Sequence, residues 1–171
     1  MTIRAEDTAS RITVPVARSR AWRAIVSGGL VAGALDITYA FVVWGMRGVS
    51  PIRVGQSVAA GLLGREAAVA GGLPTGILGL GLHFMIAIVM AAVYYAAATR
   101  LPLLVKRAVP CGIAYGLALY GMMNYVVVPL SAIGPSGRTP PLAILVSGIL
   151  VHMLLVGLPI ALITRRALRA A

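Results

Sequence analysis

The sequence predicts an all-α integral membrane protein with four transmembrane helices in a compact bundle. The chain is 60% hydrophobic and only 11% charged, and its mean hydropathy is +0.95. A soluble domain of 171 residues could not bury that share of apolar side chains. The run from Thr75 to Ala98 has 24 residues without a charge. At about 1.5 Å per residue, this run is long enough to cross the ~30 Å hydrocarbon core as a helix.

The first transmembrane helix is predicted from Ala24 to Met46. It carries Gly29 and Gly33, which lie one turn apart, and it reaches Asp36 near its midpoint. Residues 1–23 are polar and contain five arginines without apolar periodicity. They predict a disordered basic arm that ends at the membrane interface.

The segment after the first helix is too charged to cross a membrane, because it carries Arg53, Arg65 and Glu66. Its apolar residues recur at helical spacing, at Val54, Val58 and Leu62. This pattern predicts either a short helix lying on the membrane surface or a plain loop.

The second transmembrane helix is predicted within Gly71–Pro102 and contains Gly79 and His83. The third is predicted from Ala108 to Leu130. One face of the third helix carries polar or small residues at a spacing of four, namely Gly112, Gly116, Tyr120 and Asn124. Small residues on such a face allow close helix packing.

A Gly- and Pro-rich turn over Ser131–Pro141, which carries Arg138, leads to the fourth helix, Leu142–Thr164. The fourth helix contains Gly148 and His152, and Pro159 predicts a kink in it. The predicted domain organisation is therefore an arm, a transmembrane domain and a basic tail, at residues 1–23, 24–166 and 167–171.

Two short patterns occur in both halves of the chain: Gly-x-x-x-Gly at Gly29/Gly33 and at Gly112/Gly116, and Gly-x-x-x-His at Gly79/His83 and at Gly148/His152. They predict helix-packing faces, and the Gly-x-x-x-Gly pairs fit packing inside the bundle and dimerisation equally well. Two hairpins related by an axis along the membrane normal would produce them, and so would chance matches between glycine-rich helices.

The distribution of basic residues predicts the orientation. With both termini on one side, that side holds five basic residues in the arm, three between the second and third helices and three in the tail, eleven in all against four opposite. Because basic loops stay in the cytoplasm, we expect both termini to be cytoplasmic.

Three stretches carry a resemblance to a known family: LHFMIAIVMAAVYY, which a basic Pro-containing loop follows, CGIAYGLALYGMMNYVVVPLSAIGP, and VHMLLVGLPIAL. Together they resemble the YagU-type small inner-membrane proteins of bacteria, over residues Gly28 to Arg166. The resemblance implies a four-helix protein of the bacterial inner membrane without an established reaction. It carries over no catalytic residue, and only the placement of His83 and His152 matches.

Few strongly polar side chains lie inside the four predicted helices: Asp36, His83, Asn124 and His152, with Tyr39, Tyr115 and Tyr120 as weaker company. An ionised Asp at the bilayer centre costs ~2.5 to 3.5 kcal/mol, so Asp36 is expected to face the bundle. Asp36 and His152 lie at one depth, and His83 and Asn124 lie about four residues nearer the outer surface. This predicts two contacts, Asp36 with His152 and His83 with Asn124.

Three functions are compatible with these residues. The first interpretation is a structural or assembly component of the membrane, in which the polar residues hold the helices together. The alternative is a proton or small-solute permease that uses the Asp, His and Asn side chains. The third is a b-type haem subunit with His83 and His152 as ligands, although their depths differ by ~6 Å. The expected partners are the lipid bilayer and either a second copy of the chain or another membrane protein.

Catalysis and nucleic-acid binding are not indicated, and we expect no cofactor, no metal and no enzymatic activity. The serines lack a nucleophile-elbow pattern, and no phosphate-binding loop follows a strand pattern. The net charge of +11 comes from basic residues beside apolar runs, where they meet anionic lipid. The single cysteine, Cys111, allows neither an intramolecular disulfide nor a zinc-type cluster.

Overall fold

The computed structural model describes residues 6–135 and 140–170, with side chains described from residue 19 onward. The described residues contain helices and turns but no strand. The α-helices are α1 (Glu6–Gly45), α2 (Pro51–Leu63), α3 (Arg65–Ala70), α4 (Gly72–Arg100), α5 (Pro102–Lys106), α6 (Ala108–Met122), α7 (Val128–Leu130), α8 (Leu142–Val151) and α9 (Leu158–Arg169).

Four segments are long and apolar enough to cross a membrane, which confirms the predicted all-α membrane fold. They are span 1 (Ser19–Gly45), span 2 (Gly72–Arg100), span 3 (Ala108–Leu130) and span 4 (Leu142–Arg169). The chain is therefore a multi-pass membrane protein.

Two sequence predictions concern the N-terminal segment and the turn between spans 3 and 4. The structure has helix from Glu6 onward, in the segment predicted to be a disordered arm, and that segment is rich in Ala and Arg, which favour helix. Arg138, in the predicted turn between spans 3 and 4, lies outside the described residues.

Two π-helical turns interrupt the spans, each shortly before a proline. One covers Met123–Val127 and precedes Pro129 in span 3, and the other covers His152–Gly157 and precedes Pro159 in span 4. Proline has no N–H to donate, and its ring clashes with the carbonyl four residues earlier in a regular α-helix. A wider turn with i→i+5 hydrogen bonds accommodates it. At Pro159, where the sequence predicted a kink, the structure has this wider turn.

The arrangement of the spans follows from their contacts. Span 1 packs against both span 2 and span 4, and span 3 packs against span 4. The first and last spans are thus neighbours, and span 2 also contacts span 4. The most completely buried large side chains are Tyr94 in span 2 and Ile160 in span 4, and small residues such as Ala32 and Ala161 pack around them.

The glycines of span 1 lie against span 2. A Cβ at Gly29 would lie 2.5 Å from Ile88 Cα, and a Cβ at Gly33 would lie 2.9 Å from the Phe84 ring. Because real Cβ atoms do not approach other atoms so closely, only glycine fits at this distance between the helices. This is the close helix approach that small residues permit in membranes.

The glycines of span 3 lie against span 4 in the same way. A Cβ at Gly112 would lie 2.7 Å from Ala161 Cβ, and a Cβ at Gly116 would overlap the His152 carbonyl oxygen. Gly148 packs more loosely, with its Cβ position 3.1 Å from the Tyr120 ring. Spans 1 and 2 form one hairpin, and spans 3 and 4 form another. In each hairpin, the Gly-x-x-x-Gly pair of the earlier span contacts the later span near the histidine of that later span.

The segment between spans 1 and 2 forms α2 and α3, so the short helix is present. α2 packs against span 2, because Gly55 lies directly on the backbone of Gly76 and Gly79. At its far end, Gly61 accepts a hydrogen bond of 2.9 Å from the N–H of Ala132, in the turn after span 3. α2 therefore crosses the end of the bundle from span 2 to span 3.

Candidate functional site

A cavity of about 210 Å³ lies inside the bundle, and three titratable side chains line it: Asp36 from span 1, His83 from span 2 and His152 from span 4. The rest of its wall is apolar or glycine, with Met123 from span 3 and Val58 from α2 among the lining residues. The cavity is thus built from all four spans and from α2. The sequence predicted one polar cluster of Asp36, His83, Asn124, His152, Tyr39 and Tyr120, and the structure brings its three titratable members to one cavity.

His83 connects span 2 to span 1. Its Nε2 lies 2.9 Å from the Gly33 carbonyl oxygen, and its ring meets Phe84 edge to face. A carbonyl oxygen can only accept, so Nε2 carries the proton and donates. The other ring nitrogen, Nδ1, is left for a different partner. The bond is possible because Gly33 lets the two helices approach closely.

His152 is held by its own helix. Its Nδ1 donates to the Gly148 carbonyl oxygen at 3.0 Å, and the Tyr120 ring meets its edge with centroids 5.4 Å apart. His152 is also the first residue of the π-helical turn in span 4. Such turns are frequent at functional sites. The remaining nitrogen, Nε2, makes no bond to any described residue.

Asp36 makes no hydrogen bond and no ion pair with any residue that the structure describes. The predicted Asp36–His152 contact is therefore wrong as a bond, although both side chains line the same cavity. Each histidine donates its ring proton to a backbone carbonyl oxygen, at Gly33 for His83 and at Gly148 for His152, so a neutral ring has no N–H left for the Asp36 carboxylate. The Asp36 carboxyl is left half-buried on the cavity wall.

The predicted contact between His83 and Asn124 is also wrong. Asn124 is exposed, and its Nδ2 donates to the Tyr120 carbonyl oxygen of its own helix at 2.9 Å. It lines a separate cavity of about 610 Å³, together with Arg53 and Arg65. Depth in the membrane was estimated from sequence position, but depth does not determine which side of a helix a residue occupies. The π-helical turn that begins at Met123 changes that side for Asn124.

The tyrosines join helices. Tyr39 donates from its hydroxyl to Ser147 Oγ at 2.6 Å, which joins span 1 to span 4. Tyr115 donates to the Met90 carbonyl oxygen at 2.8 Å, which joins span 3 to span 2. Tyr120 contributes its ring to the packing around His152 and Gly148. These residues are the interhelical hydrogen bonds and packing groups that the first interpretation expected.

Several residues of this region were not predicted. Tyr94 is 2% exposed, and its ring packs at a tilt of 56° against the Tyr115 ring, with centroids 5.0 Å apart. Gln56 is 4% exposed, its Nε2 donates to the Gly72 carbonyl oxygen at 2.8 Å, and its Oε1 has no partner. Val58 reaches the central cavity. The sequence carried a signal for Gln56, since small residues surround it at helical spacing on one face of α2, at Gly55, Ala59 and Ala60.

The cavity does not fit a macrocyclic cofactor or a shared metal ion. At about 210 Å³ it is smaller than the ~300 Å³ at the lower end of pockets for drug-sized ligands. Within residues 19–135 and 140–170, no three His, Cys, Asp or Glu side chains come close enough to hold a metal ion. The arrangement therefore disfavours a haem between His83 and His152.

Comparisons with protein-family models, with curated proteins and with solved structures find no match for this chain. The resemblance to YagU-type proteins stays a prediction from short motifs. The indications of function therefore lie in the cavity and the residues that line it.

Proposed function

We propose that this protein is a small permease of the bacterial inner membrane, without enzymatic activity, in which Asp36 binds the proton or small cation that crosses. One observation carries the proposal: the Asp36 carboxyl lies on a cavity inside the bundle and bonds to no described residue. Side chains that only hold helices together are bonded across an interface, as Tyr39 and Tyr115 are. Asp36 is not such a group.

The Asp36 carboxyl group is half-buried within the membrane-spanning bundle. An unpaired polar group inside a membrane is costly, so intramembrane carboxyl groups usually face water, a partner or a transported ion. None of the described residues is a partner for Asp36, and the cavity beside it has room for a bound ion or water. A proton or a small cation on the carboxylate would remove the unpaired charge.

The size of the cavity limits the solute. At ~30 Å³ per water molecule, a volume of about 210 Å³ holds roughly seven waters. This is enough for a short water chain or for a small hydrated cation. The solutes we propose are therefore protons, ammonium and small monovalent cations.

The two histidines add proton-binding groups to the same wall. Each has one ring nitrogen bonded to a backbone carbonyl and one without a described partner. A neutral imidazole has one nitrogen that donates and one that accepts, which suits a group that takes up a proton on one side and releases it on the other. Asp36, His83 and His152 together would form a three-group relay around the cavity.

A structural or assembly role is the second candidate. The bonds of Tyr39 and His83, and that of Tyr115, join neighbouring spans in the way that polar residues hold membrane bundles together. In that role the protein would act through a second copy or another membrane protein. It would transport nothing.

Proton flux into proteoliposomes distinguishes the two. Wild-type protein is reconstituted with a trapped pH dye, and flux is driven by a potassium diffusion potential with valinomycin. We expect Asp36→Asn to reduce flux to the rate of protein-free liposomes. Glu66→Gln is the matched control, because Glu66 is exposed on α3 and is not part of the cavity wall. Wild-type proton flux at the protein-free rate, or unchanged proton flux in Asp36→Asn, would contradict a proton permease and favour the structural role.

A further inference from the structure

Another cavity, of about 560 Å³, opens where span 1 begins and span 4 ends. Three arginines line it, Arg20 and Arg23 from span 1 and Arg166 from span 4. Ser27 adds a hydroxyl, and alanines and Ile163 form the apolar part of the wall. The cavity is far from the Asp36 region along the helix axis, since Asp36 lies nine residues beyond Ser27 in α1.

The charges of this cavity are not neutralised by the described residues. Arg23 and Arg166 make no hydrogen bond or ion pair with any residue that the structure describes, and Arg20 donates one N–H to the Ala170 carbonyl oxygen. The carboxylates whose side chains are described are Asp36, inside the bundle, and Glu66, between spans 1 and 2. Both lie away from this end of the bundle, so the charged side chains on the described wall of the cavity are all positive.

We propose that this cavity binds the headgroup of an anionic phospholipid. Guanidinium groups present paired N–H donors that match phosphate oxygens, and three of them face one space here. Basic pockets between the ends of transmembrane helices are typical sites for anionic lipid headgroups. The charge, the donor geometry and the location at a helix end agree.

The surroundings favour a lipid over a soluble phosphate. Trp22, 65% exposed, lies between Arg20 and Arg23 in sequence, and tryptophan concentrates at the headgroup level of membranes. Arg166 also borders a neighbouring cavity of about 530 Å³ with Arg165 and Arg169, which widens the cationic surface around span 4. A phosphodiester can therefore reach the arginines while its acyl chains remain in the bilayer beside the spans.

This site is independent of the permease proposal, because it uses other residues at another position along the helices. Its occupant would join span 1 to span 4, the first and last helices of the bundle. Lipid binding should consequently stabilise the bundle as a whole, since anything that binds only the folded state does so.

Native mass spectrometry of the full chain in detergent measures the binding. Phosphatidylglycerol and phosphatidylethanolamine with identical acyl chains are titrated against wild-type protein, against Arg23→Gln/Arg166→Gln, and against Arg100→Gln/Arg107→Gln. The last variant removes the same charge from the end of span 2 and from the loop before span 3, at the same end of the bundle. We expect wild type to prefer phosphatidylglycerol, and the cavity pair to bind it at least about tenfold more weakly, as for lost hydrogen bonds to charged groups. The loop pair should bind like wild type.

Three results would overturn the proposal. They are an equal loss of phosphatidylglycerol affinity in the cavity pair and the loop pair, no preference of the wild type for phosphatidylglycerol, or a thermal stabilisation by inorganic phosphate as large as that by phosphatidylglycerol. Equal losses would mean general charge attraction, and stabilisation by phosphate would mean a site for a soluble anion. Arg23 and Arg166 are both exposed, so folding should not depend on them. If the pair nevertheless fails to fold, Arg166→Gln alone replaces it, with Arg107→Gln as its control.

Discussion

Replacing Gly116 by alanine tests how the bundle is held together at the candidate site. The added Cβ would overlap the His152 carbonyl oxygen and would lie 2.6 Å from Met153 Cα. Carbon atoms in contact prefer about 3.5 to 4.0 Å, so spans 3 and 4 would have to separate by roughly 1 Å. Both atoms belong to the backbone of span 4, and a side-chain rotation cannot relieve the overlap.

Gly121→Ala is the matched control in the same span. No atom lies within 4 Å of the Cβ position at Gly121, so its substitution costs no packing. In a helix, alanine is favoured over glycine by roughly 0.5 to 1 kcal/mol. Overpacking typically costs ~1 to 3 kcal/mol, so Gly116→Ala should be destabilising even after that gain.

Thermal unfolding in detergent, followed by size-exclusion chromatography of heated samples, reads the difference. For a chain of this length about 1 kcal/mol shifts Tm by ~2 to 4 °C. We expect Gly116→Ala to lower Tm by about 2 to 8 °C, and Gly121→Ala to leave it unchanged or raise it. Equal Tm values for the two variants would refute the close contact between spans 3 and 4. Gly116→Ala should also weaken function, because the displaced backbone carries His152.

Two further predictions test other parts of the fold. Tyr39→Phe and Ser147→Ala should each lower Tm, because both remove the same hydrogen bond between spans 1 and 4, worth ~0.6 to 1.7 kcal/mol in membrane proteins. The double variant should therefore lose less than the sum of the two, and strictly additive losses would disprove the coupling. Thr38→Val is the control, since the Thr38 hydroxyl bonds within its own helix. Met46→Cys in a Cys111→Ala background should react with a membrane-impermeant maleimide from outside the cell, since Met46 is 74% exposed just beyond span 1. Labelling only after the cytoplasmic side is made accessible would contradict the predicted orientation, in which both termini are cytoplasmic.

The sequence was sufficient for the fold class, the four spans and the packing glycines. Uncharged runs of membrane length leave few alternatives, because unpaired backbone groups are not tolerated in lipid. Glycines spaced by four recur on one helix face, and Gly29, Gly33, Gly112 and Gly116 all lie at interhelical contacts. Periodicity and hydropathy are properties of a single helix, so a sequence contains them.

Pairing between helices depended on the tertiary structure. Sequence position predicted the depth of Asp36, His83 and His152 and grouped them, but it paired Asp36 with His152, and no such bond forms. Rotation of each helix about its axis determines which side chains meet, and two π-helical turns alter that rotation within spans 3 and 4. The contribution of Val58 was also invisible in the sequence, because it depends on where α2 crosses the bundle. A linear pattern specifies the face of one helix, whereas a site between helices depends on how those faces are oriented toward each other.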